Sequence, residues 1–171
     1  TLSNAKELQK VSLQLQWLDQ FQFAGYYMAK EKGFYRDVGL EVELKKYNNQ
    51  IYQADEVINK RATYGVGRAS LVADRSKGME IVLLAAIFQS SPSVFLTTED
   101  SNIKTVKDFA GKKIMITSDL LTTAALQAMQ NHHGISSKDM LIQKHSFNID
   151  DLINKKTDII SSYISNEPFA L

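Results

Sequence analysis

Hydrophobic and polar residues alternate near the start of the chain. Val11, Leu13 and Leu15 are separated by Ser12, Gln14 and Gln16, which is the two-residue period of a half-buried strand. The period then lengthens to three and four at Phe23, Tyr27 and Lys30, predicting a helix that Gly33 is placed to end. Alternation returns over 38–44 as a second strand. Residues 50–61 then read as a helix, 62–67 as a short strand running into glycine, and 69–77 as a helix stopped by Gly78. The unbroken apolar run over 80–88 predicts a strand buried on both faces, interrupted by Gln89-Ser90-Ser91-Pro92. A second series follows, with strands at 94–97, 113–117, 140–145 and 158–164. Between them lie helices at 105–110, at 120–132 up to Gly134, and at 149–154. Strand and helix alternate throughout, which predicts an α/β fold with mainly parallel sheets. No internal repeat or low-complexity segment shows in the sequence.

Composition narrows the function classes. With 171 residues, 44% of them hydrophobic, the chain can bury a core as one domain or as two small lobes. Lys+Arg 20 against Asp+Glu 19 gives a net charge of +1, and the Lys-Lys pairs starting at 45, 112 and 155 are scattered. That is no footprint for nucleic acid. No apolar run approaches the roughly 20 residues of a membrane-spanning helix, and the opening Thr1-Leu2-Ser3-Asn4 does not read as a signal peptide. The absence of cysteine excludes disulfides, thiolate metal sites and cysteine nucleophiles, and is compatible with an oxidising compartment.

Candidate chemistry gathers at strand-to-helix junctions. Residues just past the carboxyl end of a strand face the ligand crevice of open α/β sheets, and Trp17, the only tryptophan, falls there next to Gln16. An aromatic stripe at helical spacing places Phe23 and Tyr27 in the core, whereas the Trp17 indole can stack on a flat ligand or a cation. Gly65-Val66-Gly67-Arg68-Ala69-Ser70 lacks the third glycine of a dinucleotide fingerprint and the Gly-Lys-Ser/Thr ending of a phosphate loop. A plain tight turn and a ligand-facing helix start at Gly67 and Ser70 both satisfy it. Ser118 or Asp119 can cap the helix over 120–132, Asp119 being the better match to the helix dipole, which leaves Ser118 and Thr122 as ligand candidates. His132 and His133 are neighbours in a last helical turn and point in different directions, so they make no metal site. With His145 they read as structural or surface residues. No nucleophile, metal or base constellation is visible, and no cofactor is implied, which favours a binding module over an enzyme.

The same blocks carry a family resemblance. Leu15-Gln16-Trp17, Ala24-Gly25-Tyr26-Tyr27-Met28-Ala29-Lys30-Glu31-Lys32-Gly33-Phe34-Tyr35, Gly39-Leu40-Glu41-Val42, Tyr64-Gly65-Val66-Gly67, Ala85-Ala86-Ile87-Phe88-Gln89-Ser90-Ser91-Pro92, Asp108-Phe109-Ala110-Gly111-Lys112-Lys113-Ile114 and Asn166-Glu167-Pro168-Phe169 occur in order. Together they resemble the thiamine-pyrimidine-synthase-like branch of type 2 periplasmic binding proteins. The resemblance implies two α/β lobes that close by a hinge on a small molecule. Lobe one would span 1–91, lobe two 92–165, and 166–171 would begin the return crossing. The family adds further strand and helix after that crossing, so the chain reads as truncated at its C-terminus. Its unpaired lobe-one edge predicts a dimer or swapped dimer. The synthase version depends on a cysteine-rich motif and a first-lobe histidine, and this chain has neither before His132.

What remains is an extracytoplasmic or periplasmic binding domain with a membrane-anchored partner. Ala86 to Pro92 and Ser165 to Phe169 look most like sensor domains fused to histidine kinases or cyclases. The alternative is the free substrate-binding component of an ABC transporter for a thiamine-pyrimidine-like or amine solute. The expected ligand is a small, flat nitrogen heterocycle or amine, stacked on Trp17. Donors near Gly67, Ser70, Ser118 and Thr122 would hold it, together with Gln16, Gln89 and the Glu167 carboxylate.

Overall fold

The computed structural model describes residues 7–48 and 50–170, the side chains of Asp119 and Ala170 excepted. The opening Thr1-Leu2-Ser3-Asn4 and the terminal Leu171 lie outside the described residues. The chain divides into two compact units, Thr1–Ala86 and Ile87–Leu171.

In the first unit β1 (Gln9–Gln14) is central, with β2 (Leu40–Lys45) on one side and β3 (Tyr64–Gly65) on the other, both parallel to it. The register pairs Val11 with Val42 and Leu13 with Leu44, so one face is apolar, while Lys10 with Glu41 and Ser12 with Glu43 make the other polar. Phe23 is buried just before α1 (Ala24–Glu31), as its spacing predicts. Gly33 separates α1 from α2 (Phe34–Asp37) at φ 81, a left-handed conformation that a side chain would strain. The predicted helix over 50–61 is shorter: α3 spans Gln53–Ile58. Lys60 turns to φ 58 behind it, and the N–H groups of Arg61 and Ala62 both return to the Glu56 carbonyl. Glu56 is buried and paired with Arg61 at 2.7 Å, with Lys45 at 3.9 Å. The Arg61 guanidinium holds its carboxyl below the usual range.

The strand expected over 62–67 contracts to two residues, and α4 (Ser70–Ser76) follows it. Gly78 stops the chain's helical course at φ 99. The larger correction concerns 80–88. The run forms no strand; Ile81 is buried, but Val82 is 80% and Leu84 73% exposed. A strand buried on both faces needs paired strands on its flanks, and among the described residues the run joins neither sheet.

The second unit holds β4 (Ser93–Leu96), β5 (Lys113–Ile116), β6 (Leu141–Lys144) and β7 (Ile159–Tyr163) in the order β4-β7-β5-β6. β5 is parallel to both β6 and β7, and β4 runs antiparallel to β7. This sheet is covered on both faces. Phe109, Ile114, Ile116, Met140 and Ile159 form one cluster, and Met115, Leu152 and Ile160 the other. Leu152 belongs to α7 (Asp150–Ile153). The single helix predicted over 120–132 is two, α5 (Ser118–Leu121) and α6 (Ala124–His133). Thr123 caps α6, its Oγ1 accepting from the Leu126 N–H at 3.2 Å. Ser118, expected as a cap, is instead the first residue of α5, and the Asp119 side chain lies outside the described residues.

A topological repeat, absent from the residue pattern, thus appears in the fold. Each unit has its first parallel strand in the centre, the second on one flank and the third on the other. They differ at the third strand. β7 carries the antiparallel β4 on its outer edge, whereas β3 has no such neighbour among the described residues.

Candidate functional site

From β1 the chain passes to β2 on one flank and then back across to β3, so the strand order reverses between β1 and β3. Ligands of open α/β sheets bind outside the carboxyl ends of the strands at that reversal. The register Gln14 to Gly65, extended by the Val66 N–H donating to the Gln14 carbonyl at 2.9 Å, brings Gln16-Trp17 and Gly67 to the same sheet edge.

The segment carrying Trp17 is tied down from below. Gln14 sits on a position that alternation gives to the polar side, yet it is fully buried. Its Nε2 donates to the carbonyls of Leu15 at 3.1 Å, Lys45 at 3.3 Å and Lys46 at 2.9 Å. The Leu15 N–H adds a bond to the Lys45 carbonyl at 3.0 Å. The ends of β1 and β2 are therefore stapled together. Above the staple the Tyr47 and Trp17 rings meet at 5.1 Å and 39°. Lys46 pairs with Asp19 at 3.4 Å, and the Tyr27 hydroxyl donates to Asp19. That hydroxyl, with Lys46, lowers the Asp19 carboxyl below its ordinary value; the Asp19 bond in turn pushes Tyr27 up to about 12. Tyr27, expected in the core, is only half-buried, because its hydroxyl is satisfied at the surface by Asp19.

Gln16 and Gln22 each bury a side-chain oxygen that has no hydrogen-bond partner. An orphaned buried acceptor costs roughly 1–3 kcal/mol until a donor reaches it. Gln16 was legible as a candidate; Gln22 was not, and its only sequence signal was its place five residues beyond Trp17 at the strand-to-helix switch.

The glycines at this edge answer the choice left open by the sequence. Neither Gly65 nor Gly67 takes a positive φ, so no tight-turn conformation demands them. Space does. A Cβ on Gly65 would lie 3.2 Å from the Gln53 carbonyl, and one on Gly67 would lie 2.1 Å from Leu71 Cδ1. Ser70 is exposed and opens α4, which has no side-chain cap. With seven residues in α4 and four in α5, neither helix start offers the long aligned dipole expected of an anion site.

In the second unit the order reverses between β5 and β7, with Ser118 and Thr122, both exposed, just past β5. Sequence reasoning missed Ser162 and Ser165 here, but not the role of His145. His145 is buried; its Nδ1 accepts from the Phe147 N–H at 2.9 Å and its Nε2 donates to the Ser161 carbonyl at 2.8 Å. It thereby pins the loop after β6 to β7, a structural role as expected of it. Ser162 and Ser165 bury hydroxyls without a partner, close to and just past the end of β7.

The Glu167 carboxylate, expected to meet a ligand amine, closes its own turn: Oε2 accepts from the Tyr163 N–H at 2.9 Å and Oε1 from Asn166 Nδ2 at 3.1 Å. Gln89 is exposed near the start of the second unit. The structure therefore brings Gln16, Trp17, Gly67 and Ser70 to one sheet edge and Ser118 and Thr122 to another. A surface depression of about 450 Å³ lies elsewhere on the first unit and is lined by Lys10, Lys30, Arg36, Glu41 and Glu43 among others. None of the predicted residues borders it. Among the described residues no three metal-ligating side chains converge, and no helix is long and apolar enough to cross a membrane.

Comparison with known proteins matches residues 20–171 to a family model described as NMT1/THI5 like. The riboflavin-binding protein RibY of Chloroflexus aurantiacus is 28% identical over 96% of this chain and 48% of its own length. A protein of Haemophilus influenzae named for thiamine biosynthesis is 25% identical over 81% of this chain and 44% of its own. Among solved structures, the periplasmic sulfonate-binding protein SsuA of Methylobacillus flagellatus aligns with a TM-score of 0.67 at 17% identity, covering 92% of this chain and 52% of that one. The aliphatic sulphonate-binding SsuA of Escherichia coli gives 0.63 at 13% identity, covering 91% and 51%. These structures establish the fold as that of periplasmic solute-binding proteins. The chain spans about half the length of these relatives.

Proposed function

The chain belongs to the NMT1/THI5-like family, and from that premise we propose that it is the solute-binding part of an ABC-type uptake system, holding a flat nitrogen heterocycle outside the cytoplasm. The observation that carries this reading is the orphaned Gln16 oxygen at the reversal between β1 and β3, next in sequence to Trp17. A ring that stacks on indole and carries an N–H satisfies both. A sulfonate satisfies neither, since it brings only acceptors to an acceptor. Riboflavin and thiamine, named for two relatives, are chemistry of the first kind.

The transport role is favoured over the kinase- or cyclase-fused sensor that the sequence put first. The relatives cited above are named for binding, transport or biosynthesis, and none for signalling. Binding rather than turnover is favoured because the relative RibY is named a riboflavin-binding protein. In this reading the two units close on the ligand, with crossings near 89–92 and 165–168, and Ser70, Ser118, Thr122 and Gln89 contribute hydrogen bonds from their loops.

Calorimetry with riboflavin, an aminopyrimidine and an alkanesulfonate tests the proposal, with emission of the single tryptophan read in parallel. Saturable binding of a heterocycle with a change in Trp17 emission is expected. Binding of the sulfonate alone, or chemical conversion of any of the three, overturns it.

A further inference from the structure

The second unit holds an unsatisfied group inside a fully paired part of its sheet. Ser162 is 7% exposed, and its Oγ has no hydrogen-bond partner. β7 is an interior strand, with β4 on one side and β5 on the other, so the orphan does not stem from an open sheet edge. Met115 and Ile160 are cross-strand partners and pack with Leu152 of α7 on one face. Two residues further toward the carboxyl ends, alternation brings Thr117 and Ser162 onto that same face. The face thus changes from apolar to hydroxyl-bearing as it reaches the edge where ligands of such sheets bind. Ser165, in the turn just past β7, buries a second orphaned hydroxyl there. An unsatisfied buried hydroxyl is destabilising, and alanine in its place would leave nothing unsatisfied.

We infer that Ser162 and Ser165 read an uncharged, hydroxyl-bearing substituent on the ring of the ligand, and that this edge rejects the phosphate ester of the same substituent. The inference rests on the heterocycle reading above and adds which substituent the ring carries. A hydroxyl both donates and accepts, so an alcohol can satisfy a serine in either direction. The charges beside the edge set the preference for a neutral group. Asp151, in the first turn of α7, is buried, and its carboxyl is lowered by Lys156, 2.7 Å away, and by the Ser146 side chain. Ser146 Oγ lies 3.5 Å from Met115 Sδ, which places the acidic start of α7 beside this face. Lys156 is thereby already engaged. Lys144 alternates to the opposite face from Gln143, the cross-strand partner of Met115. A phosphate, with about two negative charges, would meet hydroxyls and a carboxylate there.

Calorimetry on the whole chain tests this with two rings, riboflavin and an aminopyrimidine bearing a hydroxymethyl group. Each is compared with its analogue lacking the hydroxyls and with its phosphate ester. For whichever ring binds, the hydroxylated form is expected to be about tenfold tighter than the bare ring, and tighter than the phosphate ester by at least as much. Ser162→Ala should bring the hydroxylated form down to the affinity of the bare ring while its urea midpoint stays level or rises, the reverse of what loss of a purely structural bond would do. Ser165→Ala gives the same comparison at the second hydroxyl. Equal affinity for the hydroxylated and bare rings overturns the inference and leaves the heterocycle reading standing. So does a phosphate ester that binds as tightly as the alcohol, or a less stable Ser162→Ala chain whose preference is intact. A chain that binds neither ring overturns both. Should Ser162→Ala fail to fold, the wild-type series and Ser165→Ala decide.

Discussion

Trp17 matters because of what holds it. The indole meets the Tyr47 ring, and the loops bearing the two rings are drawn together by Gln14 and by Asp19 with Lys46. Replacing Trp17 with Ala should therefore weaken heterocycle binding by about 1–3 kcal/mol, the worth of one base stacked on an aromatic residue. Calorimetry at unchanged fold is the measurement, and full retained affinity would move the site elsewhere. Gln14→Leu acts on the staple. It orphans the Lys46 carbonyl and should cost on the order of 1–3 kcal/mol in urea unfolding, with a secondary loss of affinity as the two loops part. Alternation alone could not have shown this, since the carbonyls that make a buried glutamine tolerable come from a strand more than thirty residues away. Tyr27 supplies a pH signature. Its folded pKa, pushed up to about 12 by Asp19, lies above the ordinary 10. The bond's contribution to stability is thus complete below about pH 10 and is lost as pH rises through about 12. Tyrosinate absorbance should show a late step, shared with Tyr52, which burial and Asp74 also push up to about 12, and Tyr27→Phe should reduce that step without abolishing it.

Single secondary elements were the most legible scale where their residues pack locally, and the least where partners lie far off. The strand-helix-strand opening, Gly33, Gly78 and Gly134 all stand where periodicity and turn chemistry put them. The run over 80–88 failed, because apolar composition predicts burial but cannot supply the neighbouring strand that burial requires. The split of the helix at Thr122-Thr123 was readable in principle, since a threonine ahead of Ala-Ala-Leu is an N-cap signature. At the ligand edge, Gln16 and Trp17 were found by junction logic, but the packing reason for Gly65 and Gly67 needed the coordinates of α3 and Leu71. Thr123→Ala should cost about 0.5–2 kcal/mol in chemical denaturation, and Ser118→Ala only a few tenths; the reverse order would relocate the cap. Glu56, lowered by Arg61, and Asp151, lowered by Lys156, contribute to the acid limb together with Asp19, Asp100, Asp108 and Asp139, all lowered by hydrogen bonds. Folded values below unfolded ones mean that the stabilisation is present above the ordinary carboxylate range and lost as pH falls through the folded values. The urea midpoint should hold down to about pH 5 and then drop, with a shallower drop in Glu56→Gln.

At the scale of the whole molecule, the two units repeat one topology, and their reversal points carry different chemistry: an indole and an orphaned amide oxygen in the first, serine and threonine hydroxyls in the second. Neither set alone is a complete pocket for a polar heterocycle. Stacking leaves the ring's polar rim unsatisfied, and exposed hydroxyls in water compete poorly for a ligand without an apolar surface to exclude solvent. If the proposed function holds, affinity comes from bringing the sets onto one ligand, and ligand binding must shift the population toward a closed form by its differential affinity for it. Small-angle scattering with a saturating heterocycle should then show a smaller radius of gyration than the ligand-free protein. The Trp17→Ala variant at the same ligand concentration should show little compaction, because it has lost the stacking that ties ligand to the first unit. A saturated wild-type sample whose profile does not change would rule out closure and leave a ligand held by one unit alone.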